Sequence, residues 1–441
     1  MSWRQGRMLV LIGMLVGTLG CGSDELAQAT ANEPIEVWST WSAASGGDGE
    51  ALDAAILEYQ QQYSGAEVRK SAASVINTTE DLRGRFQAGA PPDVFQTNGG
   101  AILCAWVTSS QSFVEDLDAF AGARGWTDPN VMPQVLQDMI QCVGPDGARR
   151  FYAIPVVIHR WNTLFFNRDV FAQVGIETPP ESIEEFFQIA DRLKQDAPDI
   201  APLALGTTPM QGGAWPLATA VMVGLLSGMQ GADWYLQFYQ GQADLSSPST
   251  EDSTKLREVL DAAARMLTYV NTDFQTLGWS DAAELVHAGK AAMTVLGDWV
   301  NGSYISAGWS ATDGFGGRAA FGDVFVMGID TLGVSRGAQN RTGAMNFLTT
   351  MASTAGQDAF NRIKGGIPPR GGELESAYND YARGMARDFW AAGDRLVPTI
   401  TSFVPADWID AVWAQFDLFQ VDKDVDQLML VIRNNYGKLR Q

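Results

Sequence analysis

The stretch that decides the fold is residues 35–70, IEVWSTWSAASGGDGEALDAAILEYQQQYSGAEVRK. Its first seven residues alternate and are rich in β-branched and aromatic types, which predicts a strand over Ile35–Trp41. A glycine-rich turn follows, Ser45-Gly46-Gly47-Asp48-Gly49. Leu52, Ala55, Ile56, Tyr59 and Tyr63 then recur at helical spacing, and Gly65 is a natural stop. Ala66–Lys70 reads as the next strand. A helix near Thr79–Gln87 leads through Pro91-Pro92-Asp93 to a third strand at Val94–Thr97. Strand, helix, strand, helix, strand implies right-handed parallel crossovers and an α/β class.

Outward from this unit, residues 151–166 form a long β-like run, FYAIPVVIHRWNTLFF, broken at Pro155. It is too long for one ordinary strand and is expected to pass between two domains. Ser182-Ile183-Glu184-Glu185 predicts a helix start, with Ile183, Phe187, Ala190 and Leu193 as its apolar face. Trp215–Leu226, Lys255–Leu267 and Thr342–Met351 read as further helices, Gly314–Gly337 as strand and loop, and the C-terminal part as mostly helical. The stretch Gly289–Gly302, GKAAMTVLGDWVNG, carries an apolar run that stops at Gly297-Asp298-Trp299. A buried strand ending in a carboxylate beside an indole sits where ligands of open α/β sheets bind. A flat apolar ring with a hydrogen-bond acceptor suits a sugar. A core Trp with a turn Asp after a strand fits the same residues.

The chain has 441 residues, enough for two or three ordinary domains. A net charge of −21 argues against nucleic acid and anionic surfaces as partners. Two histidines and three cysteines are too few for a zinc-rich protein, and no metal or cofactor is expected. Arg4 and Arg7 precede the apolar run Met8–Leu19, which has the form of a secretory signal peptide over residues 1–20. The run ends in Thr18-Leu19-Gly20-Cys21, which looks like a lipobox; cleavage before Cys21 leaves a lipidated cysteine and a polar tether to residue 34. Ordinary cleavage at Ala27-Gln28-Ala29 also fits the small-residue rule. Export with a lipid anchor at the cell membrane, facing the periplasm or the outside, is the expected location.

Several stretches then resemble one family: IEVWSTWSAASGGDGEAL, APPDVFQTNGG, YAIPVVIHRWNTLFFN, ALGTTPMQGGAWPLA, LGWSDAAELVHAGKAAMTVLGDWVNGSY and FNRIKGGIPPRGG. In order and spacing the set is similar to the family-1 extracellular solute-binding proteins of bacterial ABC importers, most of all their glucose/mannose-binding branch. The resemblance runs from Ile35 to about Gly372; residues 373–441 add little to it. It implies a two-lobed α/β fold of the type II periplasmic-binding-protein class, with a glucose-like sugar in the interlobe cleft and hinge closure around it. The lobes implied are residues 35–158 with 299–337, and residues 159–298 with 338–441. A monomer that delivers its sugar to ABC permease subunits is expected, with no chemistry done on the ligand.

The same resemblance marks the ligand set. Trp41 matches a Trp laid on the sugar ring. Asp48 lies near an acidic position, although extra residues in the turn let the match slip to Glu50. Gln96 matches a polar contact, and Asn98 stands where the branch often has His. Asn offers similar polar groups on a shorter arm and does not titrate near neutrality. His159 matches a His lining the cleft, Trp215 and Trp279 match rings from the second lobe, Asp298 matches an acceptor of hydroxyls, and Lys364 matches a donor. Cys104 and Cys142, left after lipidation of Cys21, are a plausible disulfide in an exported protein, with two buried thiols as the alternative. Two other functions use the same features: a secreted carbohydrate-active hydrolase with Asp298 and Asp48 as its carboxylate pair, and a sugar sensor feeding a receptor.

Overall fold

The computed structural model describes residues 33–41, 47–72, 78–108, 112–209 and 213–440. The expected signal peptide, Cys21 and most of the tether lie outside the described residues.

The opening unit forms as its pattern predicts. β1 (Ile35–Ser39) pairs in parallel with β2 (Val68–Ala72) and with β3 (Val94–Asn98). Between β1 and β2 runs helix α1 (Asp48–Gln62), which buries Leu52, Ala55 and Tyr59. Gly65 ends it with φ +83°, a left-handed conformation that glycine adopts without a steric cost.

The hairpin β4 (Gln141–Val143) and β5 (Arg149–Phe151) precedes β6 (Ile154–Arg160). The run expected to pass between domains does so, but its break is not at Pro155. That proline lies inside β6, opposite Thr331, where the register shifts. The chain changes sheets at Trp161-Asn162 instead, before β7 (Thr163–Asn167). β8 (Ala201–Ala204), β9 (Ala291–Leu296) and β10 (Phe315–Ala319) complete a second sheet in the order β10-β7-β9-β8. β11 (Phe325–Val334) and β12 (Leu396–Pro398) return to the first sheet, ordered β12-β11-β3-β1-β2, with β6 also on β11.

Two large cores accompany the two sheets. One holds Val37, Leu52, Phe95, Ile154, Leu332 and Phe347; the other holds Leu164, Phe186, Leu217, Val223, Leu260 and Trp408. This is a two-lobed α/β fold. Three segments fall on the other side of the expected division; one is the helix Asp380–Ala391 with β12, which lie in the first core and first sheet although the resemblance puts residues 338–441 in the second lobe. β10 pairs with β7 in the second sheet, although the resemblance puts residues 299–337 in the first lobe. Helices α3 (Arg341–Met351) and α4 (Thr354–Lys364) pack on α1 in the first lobe, although the resemblance puts residues 338–441 in the second. Phe347 and Phe360 explain the latter: both are fully buried in the first core. Helix α2 (Trp299–Ser306) also leans on the end of α4, where a Cβ on Gly302 would lie 2.5 Å from the carbonyl oxygen of Lys364.

Cys104, on the helix Ala101–Thr108, and Cys142, on β4, form a disulfide with Cα atoms 5.2 Å apart. It ties the helix that follows β3 to the hairpin.

Candidate functional site

Three chain segments meet where the two sheets adjoin. β6 ends at His159-Arg160 in the first sheet, β9 ends before Asp298 in the second, and α4 ends at Lys364. Glycines make the approach possible. Gly365 has φ +92°, and a Cβ there would lie 2.2 Å from the amide nitrogen of Gly302. Ile367 then exchanges two backbone hydrogen bonds with Ile158, at 2.8 and 3.0 Å, so the Lys364 loop lies against His159. A Cβ on Gly366 would meet Val157 at 2.3 Å and His159 Nδ1 at 3.1 Å.

Asp298 is wholly buried, and both its oxygens are engaged. Oδ1 is bonded to Nδ1 of His159, and Oδ2 accepts from the amide of Arg160 at 3.0 Å. The amide of Asp298 in turn donates to the carbonyl of Arg160 at 3.0 Å. The end of the second sheet is thereby fastened to the last residues of β6. On its other edge His159 faces Asp330, with Nε2 3.5 Å from Oδ2. Burial alone depresses the imidazole's basicity, but the charge of Asp298 and hydrogen bonds to both carboxylates outweigh it and push the pKa up to about 9. His159 is therefore a cation near neutral pH.

Trp41 reaches the same carboxylate. Its Nε1 donates to Asp330 Oδ2 at 3.2 Å, and its ring leans on Phe360 with centroids 4.7 Å apart. Burial pushes Asp330 up, yet the His159 hydrogen bond and charge, Lys364 and Trp41 together hold it below the usual carboxylate range.

Lys364 and Asp48 form the second buried pair, Nζ to Oδ1 at 3.0 Å. The contact is close but poorly aligned for a hydrogen bond, so charge holds it. Asp48 lies in the first turn of α1 and Lys364 in the last turn of α4, each at the helix end whose dipole favours its sign. Burial raises the Asp48 carboxyl, while Lys364 is raised by Asp48, Asp330 and Asp298 despite its own burial. The two directions pull against each other within one pair. Three carboxylates, Asp48 first among them, favour the charged form of the ammonium. Glu50, the alternative to Asp48, is exposed and accepts from Ser306 at 2.7 Å.

The remaining expected residues lie on β3 and at two helix starts. Asn98 is half-buried on β3, directly across the ladder from Asp330. Gln96 braces the end of β1, where its Oε1 accepts from the Thr40 amide at 3.1 Å and the Thr40 hydroxyl at 3.0 Å. Trp215 opens a helix of the second lobe and lies 6.2 Å from the ring of Trp299. Trp279 opens another helix and is half-buried against the first core.

Two residues of this neighbourhood are absent from the ligand set that the resemblance marks. Asp330 is the one carboxylate in β11, a ten-residue strand buried throughout, and that isolation is the signal that could have found it. Trp299 stands beside His159 at 5.8 Å, Trp161 at 5.4 Å and Trp215, joining the charged group to the second-lobe ring. The cluster as a whole offers buried carboxylates, an ammonium, an imidazolium and indole rings, the mixture that grips a polar, neutral, ring-shaped molecule.

Comparisons with known proteins bear on the family and the fold. The family described as bacterial extracellular solute-binding protein matches residues 43–358. An uncharacterized ABC transporter extracellular-binding protein of Pyrococcus horikoshii is 27% identical, over 98% of this chain and 95% of its own. A probable sugar-binding periplasmic protein of Brucella suis is 26% identical, over 85% of this chain and 84% of its own. Among solved structures, the bacterial solute receptor AcbH superposes with a TM-score of 0.74 at 16% identity, covering 92% of this chain and 99% of AcbH.

Proposed function

The chain belongs to the bacterial extracellular solute-binding proteins, and from that premise we propose that it captures a neutral sugar and presents it to the membrane subunits of an ABC importer. The observation that carries this reading is the group Trp41, Asp48, His159, Asp298, Asp330 and Lys364 gathered between the lobes. His159 and Lys364 already have carboxylates, so an anionic solute would find no unpaired cation in this group. A neutral polyol asks only for hydroxyl partners and a ring face. The Brucella relative's name, a probable sugar-binding protein, supports the same solute class. Within it we propose a glucose-like mono- or small oligosaccharide, with Asn98 leaving more room at its wall than a His would.

The hydrolase alternative fits the geometry less well. A glycosidase needs one carboxyl to give a proton and another to act on the sugar. Asp298 is fastened to His159 and to a backbone amide, and Asp48 is paired with Lys364. We further propose a lipid anchor at Cys21 and a location outside the cytoplasm. In a bacterial host the wild type should partition with membranes, whereas Cys21→Ala should not mature normally; soluble wild type beginning at Thr30 contradicts the anchor.

A thermal-shift screen over mono- and disaccharides tests the reading. A ligand that binds only the folded state raises the melting temperature by mass action. A rise with a hexose or a small oligosaccharide is expected; no rise with any sugar at millimolar concentration counts against it.

A further inference from the structure

Buried polar atoms are nearly always hydrogen-bonded, so a buried one without a partner needs an explanation. Seven such atoms come from the last part of the chain, residues 373–441, to which the family resemblance assigns no site residue; four of them belong to Trp408, Gln415 and Arg433 on the C-terminal helices. The other three are Oγ1 of Thr399, Oγ1 of Thr401 and Nε1 of Trp413, and none has a hydrogen-bond partner among the described residues. Thr399 is fully buried and Thr401 is 9% exposed.

Their placement follows from strand register. β3 and β12 lie along the same edge of β11, running toward each other. β3 ends with Asn98 opposite Asp330, and the Gly99 amide donates to Ile329 at 3.0 Å. β12 pairs in parallel through Val326↔Val397 and Met327↔Pro398, and the Thr399 amide donates to Met327 at 2.6 Å. Thr399 thus continues the register opposite Gly328. Side chains alternate along strands and agree across neighbours, so Thr399 falls on the β11 face that carries Asp330. The other neighbour of Gly328 is His159. Thr399 stands on one side of Gly328 and His159 on the other.

The chain then crosses between lobes. The turn Ile400–Ser402 packs so tightly on the end of β3 that a Cβ on Gly100 would lie 2.2 Å from the carbonyl oxygen of Ser402. Thr401 is held there, close to the Asn98 end of β3. The helix Ala406–Asp422 follows in the second lobe. One turn beyond Trp413 on the same face, Asp417 Oδ1 accepts from the Ala214 amide at 2.8 Å, which sets this face beside Trp215. The three unpartnered groups therefore line one path, from Asp330 and Asn98 to Trp215.

From this geometry we infer that the crossover Pro398–Val404 and the helix after it form a wall of the solute site, with Thr399, Thr401 and Trp413 as direct contacts to sugar hydroxyls. This rests on the sugar-binding reading given above. The chemistry complements the charged group. Carboxylates only accept and the ammonium only donates, whereas each threonine hydroxyl can do both and the indole N–H donates. Such groups suit the hydroxyls on the part of the sugar turned away from Lys364.

The test uses shape-conserving changes in the exported, mature protein: Thr399→Val, Thr401→Val and Trp413→Phe, with Thr399→Ser and Thr401→Ser as restoring variants. Calorimetry with the sugar that most raises the melting temperature of the wild type is expected to show roughly tenfold weaker binding for each valine variant, and affinity near wild type for the serines. The ligand-free valine variants should melt at or above the wild-type temperature, since each removes an unpartnered buried hydroxyl. If wild type binds sugar and all three variants bind equally well, these groups are merely unpaired within the fold and the inference is wrong. If wild type binds no sugar, the parent reading fails and takes this one with it. A valine variant that melts lower is judged by its serine counterpart: lost affinity in the serine too, with normal melting, contradicts a hydroxyl contact.

Discussion

His159 and Asp298 belong to different sheets, yet the imidazole Nδ1 and the carboxylate Oδ1 are hydrogen-bonded to each other in the interior. Because His159 also faces Asp330, one ring links the end of the second sheet to the central strand of the first. The junction of the lobes is thus electrostatic as well as covalent, and its charge state bears on stability.

Replacing His159 with Ala leaves Asp298 and Asp330 buried without their shared cation. Removing one partner of a buried pair typically costs about 3–5 kcal/mol. Urea unfolding of His159→Ala should show a loss of that order. A variant as stable as wild type would mean that the two carboxylates do not depend on the ring.

The same link sets a pH dependence. The imidazole is raised to about 9, above the ~6.5 of an unfolded histidine. A raised pKa means that the folded state holds the proton more tightly. Its stabilisation is complete below about pH 6.5 and is lost as pH rises through 9, a change of up to about 3 kcal/mol. Stability curves of wild type and His159→Gln at pH 6 and pH 9.5 isolate this contribution. Wild type should lose more between the two than the variant; an equal loss contradicts a charged His159.

The disulfide makes a separate prediction. Cys104 and Cys142 are 38 residues apart, and closing such a loop typically adds about 2–4 kcal/mol. Reductant, or Cys104→Ser with Cys142→Ser, should lower the melting temperature and leave sugar affinity nearly unchanged, since neither cysteine belongs to the cluster. Full alkylation of the native protein without reductant would show the bond absent.

Much of this was legible in the residues. The alternation of Ile35–Ser39 and the helical spacing of Leu52, Ala55 and Tyr59 have one compact solution, and the β1–β2–β3 unit follows. Asp298 was legible because a strand end, a glycine and an indole surround it. Asp330 was not. Its meaning comes from distant partners, His159 on β6 and Trp41, 289 positions earlier, which only the sheet order brings near. Lobe membership of α3 and α4 was equally hidden, because an amphipathic helix shows that it has a buried face but not which core receives it. The break at Trp161 rather than Pro155 has the same origin: a proline is tolerated where the ladder shifts register, and nothing local announces the shift.

Gly366 tests how closely the loop must approach. An added Cβ would meet Val157 and the carbonyl oxygen of Ile158, at 2.3 and 2.8 Å. Gly366→Ala should push the loop off β6, carry Lys364 away from Asp48 and weaken sugar binding more than it lowers stability. Unchanged affinity would show that Lys364 is not positioned by this contact.

Whether the buried cluster between the lobes holds a neutral sugar is read from titration calorimetry of wild type and Asp330→Asn. Hexoses and small oligosaccharides serve as ligands, with both proteins checked for normal folding. Asparagine keeps the shape and the Trp41 contact but removes the charge that draws sugar hydroxyl protons. A charge-assisted hydrogen bond contributes about 1.5–3 kcal/mol, so the variant should bind roughly 10- to 100-fold more weakly. Wild type that binds no sugar at millimolar concentration, or a folded Asp330→Asn that binds as tightly as wild type, contradicts the account.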